Sequence, residues 1–313
     1  MKNKNSLKGA SFAELYSRYG VFLILVIALL AGAILSPHFI VPSNLVSVAK
    51  NVGVYAIMAL GMTRLLISSC VDLSAGSNVA MCSVIVAVVY NATGSTVLAI
   101  VAAILVGGLV GAINGFFVSY IGLLAFIVTL ATQMTVRGLA YLIAGGAPIF
   151  GVGDRIVWLG QGNIAGFPVI LLIVIVTTAA VAFVMSRTSH GRYLYAIGGN
   201  REAAAASGIN VKQQVFINYV TMGMICGLPA GGVNFVFEAI IGSVLGGTSM
   251  AGGIGNVVCS IIGIFVVGII NNVMNLCSVN EFWQQVVKGI VILIAVLLDI
   301  VTRNAIMKYT KKQ

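Results

Sequence analysis

The sequence predicts an all-α fold, a polytopic integral membrane helical bundle of about ten segments including short or re-entrant ones. Three observations carry that prediction. Hydrophobic residues make up 60% of the 313-residue chain and charged residues only 8%, whereas soluble domains carry about 25% charged residues. The mean hydropathy is +1.10. The apolar residues gather into runs near the roughly 20 residues that a helix needs to cross about 30 Å of hydrocarbon, and the runs lack the strict alternation of a membrane barrel.

Taken in order, Val21 to Ile40 opens the series behind a basic leader. No small-residue cleavage site closes that run, and Ser36-Pro37-His38-Phe39 follows it, so it reads as an uncleaved span. Val46 to Ser68 comes next. Ser77 to Tyr90 is too short to cross alone and reads as a half-helix or re-entrant segment held against protein. Val97 to Tyr120, Leu123 to Ile143 and Phe167 to Met185 are candidate full-length spans. A polar island at 186–212 interrupts the pattern. Beyond it lie Val215 to Gly231, the short Phe235 to Leu245, Ile254 to Leu276 and Phe282 to Val301. Residues 1–313 thus form a single transmembrane domain with one long polar insertion.

Charge orients the bundle. Lys2, Lys4, Lys8 and Arg18 precede the first span, Arg187, Arg192, Arg201 and Lys212 fill the island, and Arg303, Lys308, Lys311 and Lys312 follow the last span. These hold twelve of the seventeen Lys and Arg residues, so the positive-inside bias predicts that the island and both termini are cytoplasmic. An even number of crossings must then flank the island, which about six before it and four after it satisfy. The net charge of +10 follows from topology and anionic membrane lipid, without nucleic acid as a partner.

Cys70, Cys82, Cys226, Cys259 and Cys277 are odd in number and lack CxxC spacing, and they read as small core residues. Gly107, Gly111 and Gly115, then Gly227 and Gly231, then Gly242 and Gly246 recur at four-residue spacing, which reads either as tight packing of closely approaching helix backbones or as faces on which helices slide or rock. No phosphate-binding GxxxxGK[ST] loop, HExxH or GxSxG occurs, and Gly252-Gly253-Ile254-Gly255 lacks the third glycine of a dinucleotide fingerprint. These motifs give no catalytic residue, metal site or cofactor, and the chain is not read as an enzyme.

The acids are Glu14, Asp72, Asp154, Glu202, Glu238, Glu281 and Asp299. An ion-coupled carrier buries carboxylates in mid-span, whereas nearly all of these sit at span ends or in loops. Asp72 either caps a helix start or touches solute, and Glu238 either marks a re-entrant boundary or makes a buried polar contact. Arg64 and Arg137 fall inside apolar segments, where a cation snorkels to an interface, pairs with an acid or lines a wet cavity. In the island, Glu202 through Ser207 is a strong helix former that Gly208 stops. Gly191 and Gly198-Gly199 suit sharp turns at its approach, and Arg192 and Arg201 offer charge to a partner. A short stiff helix there transmits a rigid displacement that a floppy linker would absorb.

Four stretches then carry a resemblance. They are Val71-Asp72-Leu73-Ser74-Ala75-Gly76-Ser77; Phe126-Ile127-Val128-Thr129-Leu130 with Arg137-Gly138-Leu139-Ala140; Gly191 to Asn200 with Glu202-Ala203-Ala204 and Ser207 to Val211; and Leu245-Gly246-Gly247-Thr248-Ser249 with Gly252-Gly253. Together, over about Asn44 to Asp299, the chain resembles the permease subunits of bacterial ABC importers for monosaccharides, the ribose, xylose, galactose and arabinose group. The resemblance implies a cytoplasmic ABC ATPase that supplies energy, an extracytoplasmic sugar-binding protein that delivers solute, and a second permease copy, identical or different, in the bacterial cytoplasmic (inner) membrane. It implies a coupling role toward the ATPase for Gly191, Arg192, Gly198, Asn200, Glu202, Ala203, Ala204 and Gly208. A neutral sugar calls for a polar lining, for which Asp72, Ser74, Asn114, Thr129, Asn271 and Asn275 are the pathway candidates, with Asn51, Gln133 and Asn272 beside them.

Departures from that family stand at Ser68-Ser69-Cys70, Arg64 and Ala125, and a shortening of the chain is expected between Gly232 and Phe237. The competing class, a stand-alone secondary transporter or channel for a small polar solute, predicts mid-span carboxylates and no ATPase.

Overall fold

The computed structural model describes residues 4–228 and 236–310. The chain is helical almost throughout: α1 (Lys4–Leu35), α2 (Pro42–Ile67), α3 (Ala75–Thr93), α4 (Thr96–Phe116, extended by a π-turn over Phe117–Ile121), α5 (Ala125–Ala144), α6 (Asp154–Gln161), α7 (Val169–Arg187), α8 (Ser189–Gly199), α9 (Arg201–Ala206), α10 (Val211–Cys226), α11 (Val236–Leu245), α12 (Val257–Leu276) and α13 (Glu281–Thr310). Two strands, β1 (Asn163–Ile164) and β2 (Phe167–Pro168), pair as a hairpin between α6 and α7. Ala165 and Gly166 turn it at φ +49° and +82°, the two positive angles that a tight hairpin with the native strand twist requires.

Helix α2 is the axis. Every residue from Ala56 through Ile67 is buried, and a helix apolar on all faces belongs at the centre of a bundle. Around it, Met222 of α10 closes on Gly61, Ile170 of α7 on Gly53 and Val52 on Gly268 of α12. Asn44 and Asn272 exchange amide hydrogen bonds of 3.0 and 2.8 Å at the far end of the α2–α12 pair. The outer helices turn bulky apolar side chains outward, as Leu30 and Ile34 of α1 and Met134 and Leu142 of α5 do.

The α4–α10 seam is made of backbone. A Cβ on Gly107 would run into the Gly223 carbonyl, one on Gly111 into the Tyr219 carbonyl, and one on Gly227 into the Ala103–Ile104 backbone. The two helices therefore run antiparallel at the separation that only glycine permits, as the four-residue spacing of Gly107, Gly111 and Gly115 predicts. Gly242 of α11 and Gly246, in the turn just after it, meet Ile264 and Ser260 of α12 in the same way.

Among the described residues, six helices are long and apolar enough to cross a membrane: α2, α3, α4 with its π-turn, α5, α7 and α12. Gly20–Leu35 and Val236–Leu245 are shorter apolar helices. This is a multi-pass membrane protein.

Several boundaries differ from expectation. The segment expected to be short, Ser77 to Tyr90, is part of a 19-residue helix, because the polar ends Ala75–Ser77 and Asn91–Thr93 continue the helical backbone. The first helix stops at Leu35, and Ser36 to Ile40 form a turn in which Phe39 folds back, 2% exposed, against Gly32. Helix α6 and β1 occupy a stretch in which no element was expected, and β2 takes Phe167 and Pro168, the first two residues of the expected Phe167 to Met185 span. The short Phe235 to Leu245 segment is seen as the ten-residue α11. The expected shortening at 232–237 falls mainly on residues 229–235, outside the described residues, as does the end of the span expected to close at Gly231.

Candidate functional site

Three polar caps build the island. Thr188 Oγ1 accepts from Gly191 N at 3.3 Å to start α8, Asn200 Oδ1 from Ala203 N at 2.9 Å to start α9, and Asn210 Oδ1 from Gln213 N at 3.1 Å to start α10. Each satisfies a backbone donor that the first helical turn leaves free. Gly208, at φ +83°, closes the α9 turn in the left-handed conformation that suits glycine. Helix α9 spans Arg201–Ala206, shifted by one residue from the expected Glu202–Ser207. Ala204 packs inward, 4% exposed, while Asn200, Arg201, Glu202 and Ala203 face out.

Helix α8 docks this unit on the bundle through Leu194 and Ile197, exposed by 0% and 2%. Gly198 touches the Ile67 carbonyl at the end of α2 and the Gly253 amide, with no room for a side chain. The expectation that Gly191 and Gly198-Gly199 form sharp turns is corrected: all three are helical residues of α8. Gly191 lies against the Met185 and Val184 carbonyls, so Gly191 and Gly198 are present for close approach rather than for a bend. Arg192 is exposed and reaches Ser189 Oγ at 3.1 Å.

A three-way junction results. Gly253 N donates to Ile67 O at 2.8 Å, Ser69 Oγ to Ala251 O at 2.8 Å, and Tyr195 OH to Gly255 O at 2.9 Å. The end of α2, the island and the 246–256 loop are therefore joined by main-chain and side-chain hydrogen bonds. Beside the junction, Arg64 is 5% exposed, which corrects a snorkelling cation to a buried one. Its Nη2 lies 3.1 Å from His190 Nε2, and His190 Nδ1 lies 2.6 Å from Gln214 Oε1. Asn218 Nδ2 donates to the Arg64 carbonyl at 3.1 Å and to Ser68 Oγ at 3.0 Å.

Asp72, Ser74 and Asn114 come together, all 0% exposed. Asp72 Oδ1 accepts from Ser74 N at 2.8 Å, from Ser74 Oγ at 2.5 Å and from Asn114 Nδ2 at 3.4 Å. The aspartate thus secures the turn into α3, while its Oδ2 and Asn114 Oδ1 have no partner among the described residues. Tyr219 OH donates to Val71 O at 2.8 Å, fixing the same turn to α10. The other pathway candidates lie elsewhere. Thr129 bonds the Ala125 carbonyl of its own helix at 2.8 Å, and Asn275 accepts from Gln284 Nε2 at 2.8 Å. Asn271 is half-buried with Oδ1 unpartnered, Asn272 is held by Asn44, Asn51 is exposed and Gln133 half-buried. Of the six candidates, hydrogen bonds join Asp72, Ser74 and Asn114. A polar cleft of about 690 Å³ lies between the α3–α4 turn and α6, lined by Tyr90, Thr93, Ser95, Thr96, Asp154 and Arg155.

Glu238 makes a buried polar contact. It is 4% exposed and accepts from Lys288 Nζ of α13 at 2.8 Å. Among the described residues no three His, Cys, Asp or Glu side chains gather as a metal site. Sequence reasoning missed Ser69, Tyr195, His190, Gln214 and Gly255 as junction residues. Tyr195 lay within a motif already singled out, but its partner stands 60 positions away.

The family described as branched-chain amino acid transport system / permease component matches residues 44–296. The chain is similar to the ribose import permease of Escherichia coli K12, 35% identical over 297 residues covering 89% of this chain and 92% of the relative. It is 36% identical over 307 residues to the ribose import permease of Bacillus subtilis 168, covering 93% and 95% of the two chains. The L-arabinose transport system permease of E. coli K12 is 33% identical over 303 residues, with 92% of each chain covered. No solved structure matches. A helical membrane bundle matched over nearly its whole length by transport permeases leaves one assignment: the chain belongs to the branched-chain amino acid transport system / permease component family.

Proposed function

We propose that this chain is the membrane-embedded permease subunit of an ATP-driven importer for a monosaccharide, and that the island receives the stroke of a cytoplasmic ATPase. The supporting observation is the likeness, at 33–36% identity over about nine-tenths of the chain, to permeases named for ribose and arabinose. In this reading an extracytoplasmic binding protein delivers the sugar, and a second permease copy completes the pathway. The membrane is the bacterial inner membrane, with about ten passages and both termini cytoplasmic. Glu202, Ala203 and Arg201 face the ATPase, and the Gly198–Ile67 contact carries its displacement into the axial helix. The polar cluster of Asp72, Ser74 and Asn114 lies beside the path of the solute.

The alignment also supports a shortened chain. It runs over 297 residues yet uses 89% of the 313 here, about 279, so about 18 positions of the ribose permease have no counterpart. We place the gap at 232–237, and a diverged copy with impaired transport is the consequence. The stand-alone carrier draws on Glu238, a buried mid-bundle carboxylate, yet that group is held by Lys288 rather than free for a coupling ion.

Ribose uptake, measured in cells whose other sugar permeases are deleted and which express this chain with its ATPase and binding protein, tests both points. ATP-dependent uptake supports the importer and refutes the impairment; uptake without the ATPase overturns the importer. Gly198→Leu is expected to leave the chain in the membrane while hydrolysis no longer drives uptake. Unchanged uptake would remove the coupling role from the island.

A further inference from the structure

Among the described residues, Arg64 is a buried cation without a counter-ion. The ion pair seen among the described residues joins Glu238 to Lys288, and the Arg64 Nε–H has no acceptor. An ionisable group kept inside a membrane bundle is a functional residue by default. Its position in the last turn of α2 lets the helix carbonyls offset part of the charge. Its Nη2 lies 3.1 Å from the imidazole Nε2 of His190.

That contact fixes the state of the ring. A guanidinium offers donors only, so His190 Nε2 accepts. The ring is then neutral and carries its proton on Nδ1, which donates to Gln214 Oε1 at 2.6 Å. One tautomer therefore links the axial helix α2, island helix α8 and the first turns of α10. Protonation would set an N–H against the guanidinium and remove the acceptor, so the link exists only with the neutral ring.

We propose that Arg64 is a positioning residue that clamps the island to α2 through neutral His190, and that protonation of His190 releases the clamp. This inference rests on the coupling reading of the island. Burial holds the His190 ring below its usual 6.5; the Arg64 charge lowers it further, and the Gln214 bond opposes both. Arg64 of α2 is the charged group acting on the ring, Gln214 of α10 is uncharged, and α7 and α9 contribute none among the described residues. A depressed value means that the clamp is fully present above 6.5 and is lost as pH falls through the lowered value.

The chain has two histidines, and His38 is exposed. In a His38→Gln background, ¹⁵N-histidine NMR of the full chain in lipid nanodiscs reads His190 alone. The expected spectrum shows the Nδ1–H tautomer at neutral pH, with titration below 6.5. Arg64→Met should raise the midpoint and make Nε2–H the major form. A dominant Nε2–H form in the parent, or a midpoint that Arg64→Met leaves in place, would overturn the clamp whether or not the chain transports.

With the ATPase and binding protein assembled on the nanodisc, ribose-stimulated hydrolysis should fall about tenfold in Arg64→Met, the scale of one hydrogen bond to a charged group. In the parent it should be level above pH 6.5 and fall as the pH is lowered below it, whereas it should stay level in His190→Gln, whose amide accepts and donates without titrating. A full response in Arg64→Met, or an equal acid loss in His190→Gln, overturns the proposal. If Gly198→Leu uncouples while Arg64→Met does not, only the clamp fails; if neither uncouples, the coupling reading fails with it.

Discussion

Two seams of this bundle are built on opposite terms. Between α4 and α10, glycines bring two backbones into contact, and Gly107 and Gly223 leave no space for a side chain. Between α2 and the island, Gly198 also packs on the Ile67 carbonyl, but polar bonds are added: Ser69, Tyr195 and the Gly253 amide tie both elements to the 246–256 loop, and Arg64 is buried beside them with an Nε unpartnered among the described residues. Packing of small residues gives a membrane bundle its rigidity, whereas buried polar groups that are incompletely matched cost stability and are retained where a second arrangement is needed. In the proposed function the first seam serves as a fixed strut and the second as a joint.

The largest effect should come from the strut. Gly111→Leu drives a side chain into the Tyr219 carbonyl, and overpacking against backbone should cost more than about 3 kcal/mol. The thermal unfolding midpoint and the yield of monodisperse protein in detergent measure it; near-normal stability would mean that the helices can separate, and the contrast would be lost.

An intermediate effect is expected at Glu238 and Lys288. Glu238→Gln removes a charge from a pair whose lysine side chain is 28% exposed, so the loss should be about 1–3 kcal/mol, below that of a fully buried pair. A double-mutant cycle with Lys288→Met isolates the pair, and a coupling energy near zero would show that it does not hold α11 to α13.

The smallest effect belongs to Asn44→Ala or Asn272→Ala. Their reciprocal bonds lie at a half-buried helix end, and interhelical hydrogen bonds in membranes average about 0.6 kcal/mol. Denaturation in a graded detergent series would detect a larger loss, which would make that end a second joint.

Much of the strut was legible from the sequence, because Gly107, Gly111 and Gly115 repeat at the spacing of one helical face and need no knowledge of the partner. The α9 helix was legible for the same local reason: an alanine run closed by Gly208. The joint was not. His190 stands 126 positions from Arg64, and Ser69 stands 182 from Ala251, so the sequence carries no local trace of either contact. Gly198 was singled out as a turn and is instead a place where helices touch, since a glycine chosen for φ and one chosen for space look alike in a sequence. Asp72 was read as a cap or a solute contact; the N-cap of α3 is instead Ser74, and Asp72 holds the turn before it, while its Oδ2, unpartnered among the described residues, leaves the second role to the pathway proposal.

The central claim is that the island faces the compartment of the ATPase. A single cysteine introduced as Arg201→Cys, in a background with the five native cysteines replaced, tests it in intact cells with a membrane-impermeant maleimide. The account predicts no labelling until the membrane is opened, and then full labelling of this exposed site. Labelling from outside in sealed cells would contradict it.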